Sequence, residues 1–130
     1  DEGKLFEGAF EILADLKNFG HRLFLIGKGT KERENFIYEL KIDQFFEKII
    51  LKEEKDIQDF ESIKRVASSD EEIFSVGDRI KKEILLSNRC GFKTIWFKNG
   101  KFAEETPDQE DENPWKTIYA LNELKSLFLS

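Results

Sequence analysis

Hydrophobic positions along this chain switch repeatedly between a helical period and short continuous runs. Residues 8–18 place Phe10, Leu13 and Leu16 at helical spacing, and Gly20 is a natural C-terminal stop. Residues 22–26 then carry Leu23-Phe24-Leu25-Ile26, a continuous apolar run between glycines that reads as a buried strand. Gly27-Lys28-Gly29-Thr30 reads as the loop after it. A helix over residues 31–40 keeps Phe36, Ile37 and Leu40 on one face, Phe45 and Phe46 sit in a connector, and residues 48–51 form a second strand. Ile57, Phe60, Ile63 and Val66 hold a three-to-four spacing through a helix at 56–67. Residues 72–76 form a third strand, closed by Gly77-Asp78. A helix over 80–90 turns Ile80, Ile84 and Leu85 inward, and residues 92–97 form a fourth strand. Asn99-Gly100 is a turn signal. Residues 117–119 read as a short edge strand, and the closing helix carries Leu121, Leu124 and Leu127.

Apolar strands alternating with amphipathic helices predict an α/β fold. The expected form is a three-layer, Rossmann-like parallel sheet flanked by helices. The 130 residues suit a single domain. In such sheets the ligand crevice lies beyond the carboxyl ends of the strands. Two segments qualify, Gly27 to Thr30 and Gly77 to Arg79.

Composition changes this picture in three ways. Charged residues make up 37%, yet thirteen Phe residues supply a core and exclude a disordered chain. The formal net charge of -6, with no long basic run, argues against nucleic acid or an anionic membrane as partner. The acidic segment 104–112 reads as a solvated loop. Cys90 is the single cysteine, so no internal disulfide forms and a reducing, cytoplasmic setting is expected. Its apolar surroundings favour a buried small side chain over a reactive thiol. No apolar run spans a bilayer and no signal peptide is visible. The chain opens on Asp1 and holds no methionine, so an upstream segment is expected.

Few side chains are placed for chemistry. Asp78 stands at a strand end, where a hard cation such as Mg²⁺ takes oxygen ligands, but it also precedes a helix it could cap. Glu83 follows in that helix, able to orient a lysine or to pair with Lys81 and Lys82. The Gly27-Lys28-Gly29-Thr30 loop offers amides, a lysine and a hydroxyl to a phosphate. It lacks the third glycine of a dinucleotide fingerprint and the spacing of a P-loop, and an ordinary flexible loop is the competing reading. Lys55, in the charged run Lys52-Glu53-Glu54-Lys55-Asp56, is either a phosphoryl-neutralising lysine or part of a solvated face. His21, the only histidine, lies at a helix-to-strand turn and reads as structural.

The order of these pieces resembles the haloacid dehalogenase-like (HAD) hydrolase superfamily. Leu5-Phe6-Glu7-Gly8-Ala9-Phe10-Glu11-Ile12-Leu13, then Leu16-Lys17 and Gly20, resembles its lead-in helix. Residues 23–29 resemble its second motif, and Lys55 falls at its third-motif lysine. Phe74-Ser75-Val76-Gly77-Asp78-Arg79-Ile80-Lys81-Lys82-Glu83-Ile84, through Cys90-Gly91-Phe92-Lys93-Thr94-Ile95-Trp96-Phe97, closely resembles its fourth motif, helix and next strand. The resemblance implies Mg²⁺-dependent hydrolysis of a small phosphorylated substrate. It implies metal roles for Asp78 and Glu83, a catalytic role for Lys55, and phosphate contacts from Gly27, Lys28, Gly29 and Thr30.

The chain departs from that family pattern at several points. Gly27 stands where a hydroxyl is usual, with Thr30 as a stand-in. Glu83 stands where Asp is commoner, and Arg79 where a small polar residue is. The family's Asp-x-Asp-x-Thr nucleophile motif is absent; Asp1-Glu2-Gly3-Lys4-Leu5-Phe6 only echoes its tail. The expectation is therefore a HAD-like core lacking its central first strand. An upstream segment would supply the nucleophile; a partner chain completing the sheet is the alternative. If the neighbouring strands instead pair directly, the chain is a non-catalytic relative acting as a binding or regulatory module.

Overall fold

A computed structural model describes residues 7–130 of the chain. In order, the elements are α1 (Ala9–Asn18), β1 (Phe24–Lys28), α2 (Lys31–Glu39), β2 (Lys48–Lys52), α3 (Ile57–Val66) and β3 (Phe74–Gly77). A π-helical turn (Ile80–Ile84), α4 (Leu85–Arg89), β4 (Lys93–Phe97), β5 (Lys116–Ile118) and α5 (Leu124–Phe128) follow. Single 3-10 turns lie at Asp43–Phe45, Glu110–Glu112 and Leu121–Glu123. The fold is α/β, with parallel sheets flanked by helices.

The ladders form two sheets, β1-β2 and β3-β4-β5. The chain divides into two compact units, one built from the chain up to Lys55 with Leu121–Ser130, the other from Asp56–Ala120.

In the first unit, β1 and β2 run parallel in a register that sets Gly27 beside Leu51 and Lys28 beside Lys52. Ile37, Ile42 and Phe45 form a buried cluster, and Leu13, Leu23, Leu25, Leu40, Phe46 and Leu51 pack on it. These are apolar positions of both predicted helices and both predicted strands, so one core consumes both periodicities. Phe10 meets Phe45 edge to face at 5.1 Å. α1 also packs against α5, where the Nε2–H of His21 donates to the Phe128 carbonyl at 2.9 Å. That contact gives His21 the structural part expected of it.

In the second unit, β4 is the central strand and β5 the edge. All four of Thr94, Ile95, Trp96 and Phe97 are buried, which suits a strand covered on both faces. α3 begins with a reciprocal cap: Gln58 N–H donates to Asp56, and Asp56 N–H donates to Asp59, both at 2.9 Å. Part of the charged run before α3 is thus a helix start.

Three expectations shift here. The first strand begins at Phe24, not residue 22, and runs on through Gly27 and Lys28, so only Gly29 and Thr30 lie outside regular structure. The edge strand lies at Lys116–Ile118, one residue earlier than the apolar pattern indicates. The helix expected over 80–90 is a π turn followed by one short α segment.

Candidate functional site

The candidate residues fall in both units. Gly27, Lys28, Gly29, Thr30 and Lys55 belong to the first, and Asp78 and Glu83 to the second.

At the carboxyl end of β1, the glycine loop is held close to β2. A Cβ on Gly29 would lie 3.1 Å from the backbone of Lys52, and Gly29 N–H donates to Lys52 O at 2.9 Å. Only a residue without a side chain lets the two backbones approach this way. Thr30 N–H donates to Lys28 O at 3.0 Å, and the Thr30 hydroxyl accepts from Arg33 N–H at 3.1 Å as the cap of α2. Two of the loop's amides are therefore committed within the chain. The ammonium of exposed Lys28 and the proton of the Thr30 hydroxyl are the groups left to face an anion. Arg33 is a cation the sequence reading did not single out. Its Nη1 stands 3.4 Å from where a Cβ on Gly27 would be, in the space a hydroxyl side chain there would enter. Lys55, three residues after the end of β2, is half-buried.

The Gly77-Asp78 turn is built more tightly. Gly77 has no positive φ, so it is not there for backbone freedom. It is there for room: a Cβ at Gly77 would stand 2.7 Å from Cβ of Glu83 and 3.3 Å from its Cγ. The π turn brings this about. Ile84 N–H reaches Arg79 O, five residues back, at 3.2 Å, and Leu85 N–H reaches Ile80 O. One extra residue in the turn sets Glu83 over Gly77, while Ile80 and Ile84 stay fully buried against Trp96. Such π turns recur at functional sites. From the neighbouring strand, in register with Gly77, Trp96 donates its indole N–H to the Asp78 carbonyl at 3.0 Å.

The capping role considered for Asp78 is filled by another residue. Ile80 N–H donates to Oε1 of Glu105 at 2.8 Å, and Arg79 Nε donates to Oε2 of the same carboxylate at 3.3 Å. The Arg79 guanidinium also lies over the Phe102 ring, 4.7 Å from its centre. No side chain caps the turn at its own N-terminus. Among the described residues, no side-chain hydrogen bond or ion pair engages the Asp78 carboxylate.

The acidic segment 104–112 is exposed over most of its length, as its composition suggests, but Glu112 is buried and Glu105 partly so. Glu112 is 4% exposed and accepts from Asp108 N–H at 2.8 Å, Gln109 at 3.1 Å and Lys81 at 3.0 Å. The Asp108 amide, then Gln109 and Lys81, hold its carboxyl down to about 2. Lys81 also meets Asp108 at 2.6 Å, and the two carboxylates, Asp108 first, raise its ammonium above the usual lysine range. Asn88 donates to the carbonyls of Asp111 and Asn113 and accepts from buried Thr94. Loop acids thus take up cations of the helix they cover. Cys90 is buried, and desolvation followed by the nearby Glu61 carboxylate pushes its thiol up to about 11, in keeping with an inert side chain.

The donor set at this turn, Asp78 with Glu83 on the adjoining glycine, is all oxygen, as a hard cation requires. Among the described residues no three His, Cys, Asp or Glu side chains come together, so these two acids would furnish part of a metal shell.

A strand-end glycine-aspartate turn on a parallel α/β fold defines a class, and comparison with known proteins gives the same one. Residues 1–97 match the model of the haloacid dehalogenase-like hydrolase family, and the chain belongs to it. The chain is 34% identical over 107 residues to the glyceraldehyde 3-phosphate phosphatase of Pyrococcus abyssi, covering 72% of this chain and 42% of that protein. It is 29% identical over 119 residues to the phosphatase of the same name from Methanopyrus kandleri, covering 85% and 51%. The chain thus spans about half the length of the curated relatives it matches. Its fold is similar to that of the magnesium-bound HAD-hydrolase YfnB of Bacillus subtilis, with a TM-score of 0.73 at 17% identity, over 94% of this chain and 55% of that one. Leu5 and Phe6 of the lead-in, and the Asp1 to Phe6 echo of the first motif, lie outside the described residues. No helix among the described residues is long and apolar enough to cross a membrane.

Proposed function

We propose that this chain is the larger part of the core of a Mg²⁺-dependent phosphate-ester hydrolase acting on a small phosphorylated metabolite in the cytoplasm. The nucleophilic aspartate would come from a segment outside these 130 residues. The observation that carries the reading is the transfer of the capping role to Glu105. It leaves a strand-end aspartate, pinned through its carbonyl by Trp96, with its carboxylate available for a cation. The names of the relatives support a three-carbon sugar phosphate as the substrate class to try first.

In this reading Asp78 and Glu83 hold Mg²⁺, which when bound offsets charge on the phosphoryl oxygens. Lys28 and Lys55 supply positive charge suited to a phosphoryl group, and the Thr30 hydroxyl supplies a hydrogen-bond donor. The chain's own contribution is positioning and charge, with the covalent step left to the aspartate supplied from elsewhere.

The test uses the full-length protein, with glyceraldehyde 3-phosphate and a generic aryl phosphate, with and without Mg²⁺. Asp78→Asn should lower turnover by at least about 100-fold, since it removes a metal ligand. Absence of Mg²⁺-dependent turnover on any phosphomonoester would favour the non-catalytic module instead.

A further inference from the structure

Arg79 is the departure from the family pattern that most threatens a cation site, because it sets a guanidinium next to the aspartate that would hold the metal. Two groups adjacent to Asp78 compete for its carboxylate. One is Arg79. The other is Ile80 N–H, two residues on, which an aspartate readily takes in a local turn. Both are occupied by one side chain, 25 residues on from Ile80 and 26 from Arg79. Glu105 accepts Ile80 N–H with Oε1 at 2.8 Å and Arg79 Nε with Oε2 at 3.3 Å. The Glu105 side chain is 14% exposed and that of Arg79 43%, so the carboxylate is shielded from water while the guanidinium stays partly exposed. Phe102 covers the outer face of the guanidinium. Nearby, Lys81 is bound to Asp108 and Glu112, which fastens the rest of the loop over the same turn.

We propose that Glu105 is a positioning residue for Asp78: by engaging Ile80 N–H and Arg79 together, it keeps the Asp78 carboxylate open to a divalent cation. This rests on the metal-site reading of Asp78. Arg79 and Glu105 are then a matched pair, the loop acid offsetting the cation that replaced a small residue.

The test is Mg²⁺ binding to the full-length protein by calorimetry, without substrate. Glu105→Ala should weaken Mg²⁺ binding about tenfold, in the range expected for residues that orient metal ligands. Glu105→Gln keeps an oxygen for the Ile80 amide but loses the charge, so it should fall between Ala and the wild type. It also carries the test if the alanine variant loses its native circular dichroism. The discriminating result is a cycle. Arg79→Ala should tighten Mg²⁺ binding more in the Glu105→Ala background than in the wild type, because only there is the guanidinium released towards Asp78. A merely structural Glu105 predicts no such rescue. Equal effects of Arg79→Ala in both backgrounds, or an unchanged affinity in Glu105→Ala while Asp78→Ala abolishes binding, overturns the proposal and leaves the metal-site reading standing. Mg²⁺ binding that survives Asp78→Ala removes both.

Discussion

At Gly77 the decisive quantity is a distance. Glu83 Cβ lies where even a methyl group would meet it at 2.7 Å, so Gly77→Ala forces either the strand end or the π turn to move. Overpacking of this kind costs about 1–3 kcal/mol. The expected outcome is a matching loss in urea-unfolding stability, together with weaker Mg²⁺ binding because Glu83 is displaced. An alanine variant as stable as the wild type would show that the turn yields freely. A glycine at a strand end reads as a choice for backbone freedom, but Gly77 has no positive φ and is there for room. Asp78 was equally readable as cap or ligand. No local pattern could show that the Ile80 amide goes to Glu105, which comes from another part of the chain.

The π turn and the acidic loop form one device at the scale of elements. A regular helix was expected over 80–90, because Ile80, Ile84 and Leu85 fit the α spacing. Periodicity over one turn does not separate a π start from an α start. What differs is the partner: Ile80 and Ile84 are both fully buried with Trp96, and the extra residue accommodates that packing. The loop's reading was incomplete for a related reason. Composition counts charges but not their partners, and Lys81, Arg79 and Arg89 each meet a loop acid. Glu112 makes the loop pH-sensitive in a defined direction. Its carboxyl sits at about 2 when folded, against an ordinary 4.5, so the folded state binds fewer protons than the unfolded one in between. Its contribution to stability is complete above pH 4.5 and is lost as the pH falls towards 2. Unfolding midpoints measured from pH 6 to pH 2 should fall less steeply for Glu112→Gln than for the wild type across this window. Parallel curves would mean that the Asp108, Gln109 and Lys81 contacts do not distinguish the charged form.

For the molecule as a whole, a ligand that binds only the native state stabilises it by mass action. Mg²⁺ should therefore raise the thermal midpoint of the full-length protein, and the rise should vanish in Asp78→Asn. An equal rise in both would place the ion elsewhere. Sequence alone determined the class of fold, because burying apolar strands and amphipathic helices together leaves few arrangements, and parallel βαβ units are the one this alternation satisfies. It also determined where the candidate chemistry lies, since strand ends and their loops are local features that motifs record. The tertiary structure decided what each group at those places is free to do. Glu105 reaches the Gly77-Asp78 turn from outside the motif that marks it, and Trp96 from the neighbouring strand, and hydrogen-bond partners across such gaps leave no periodic trace in the chain.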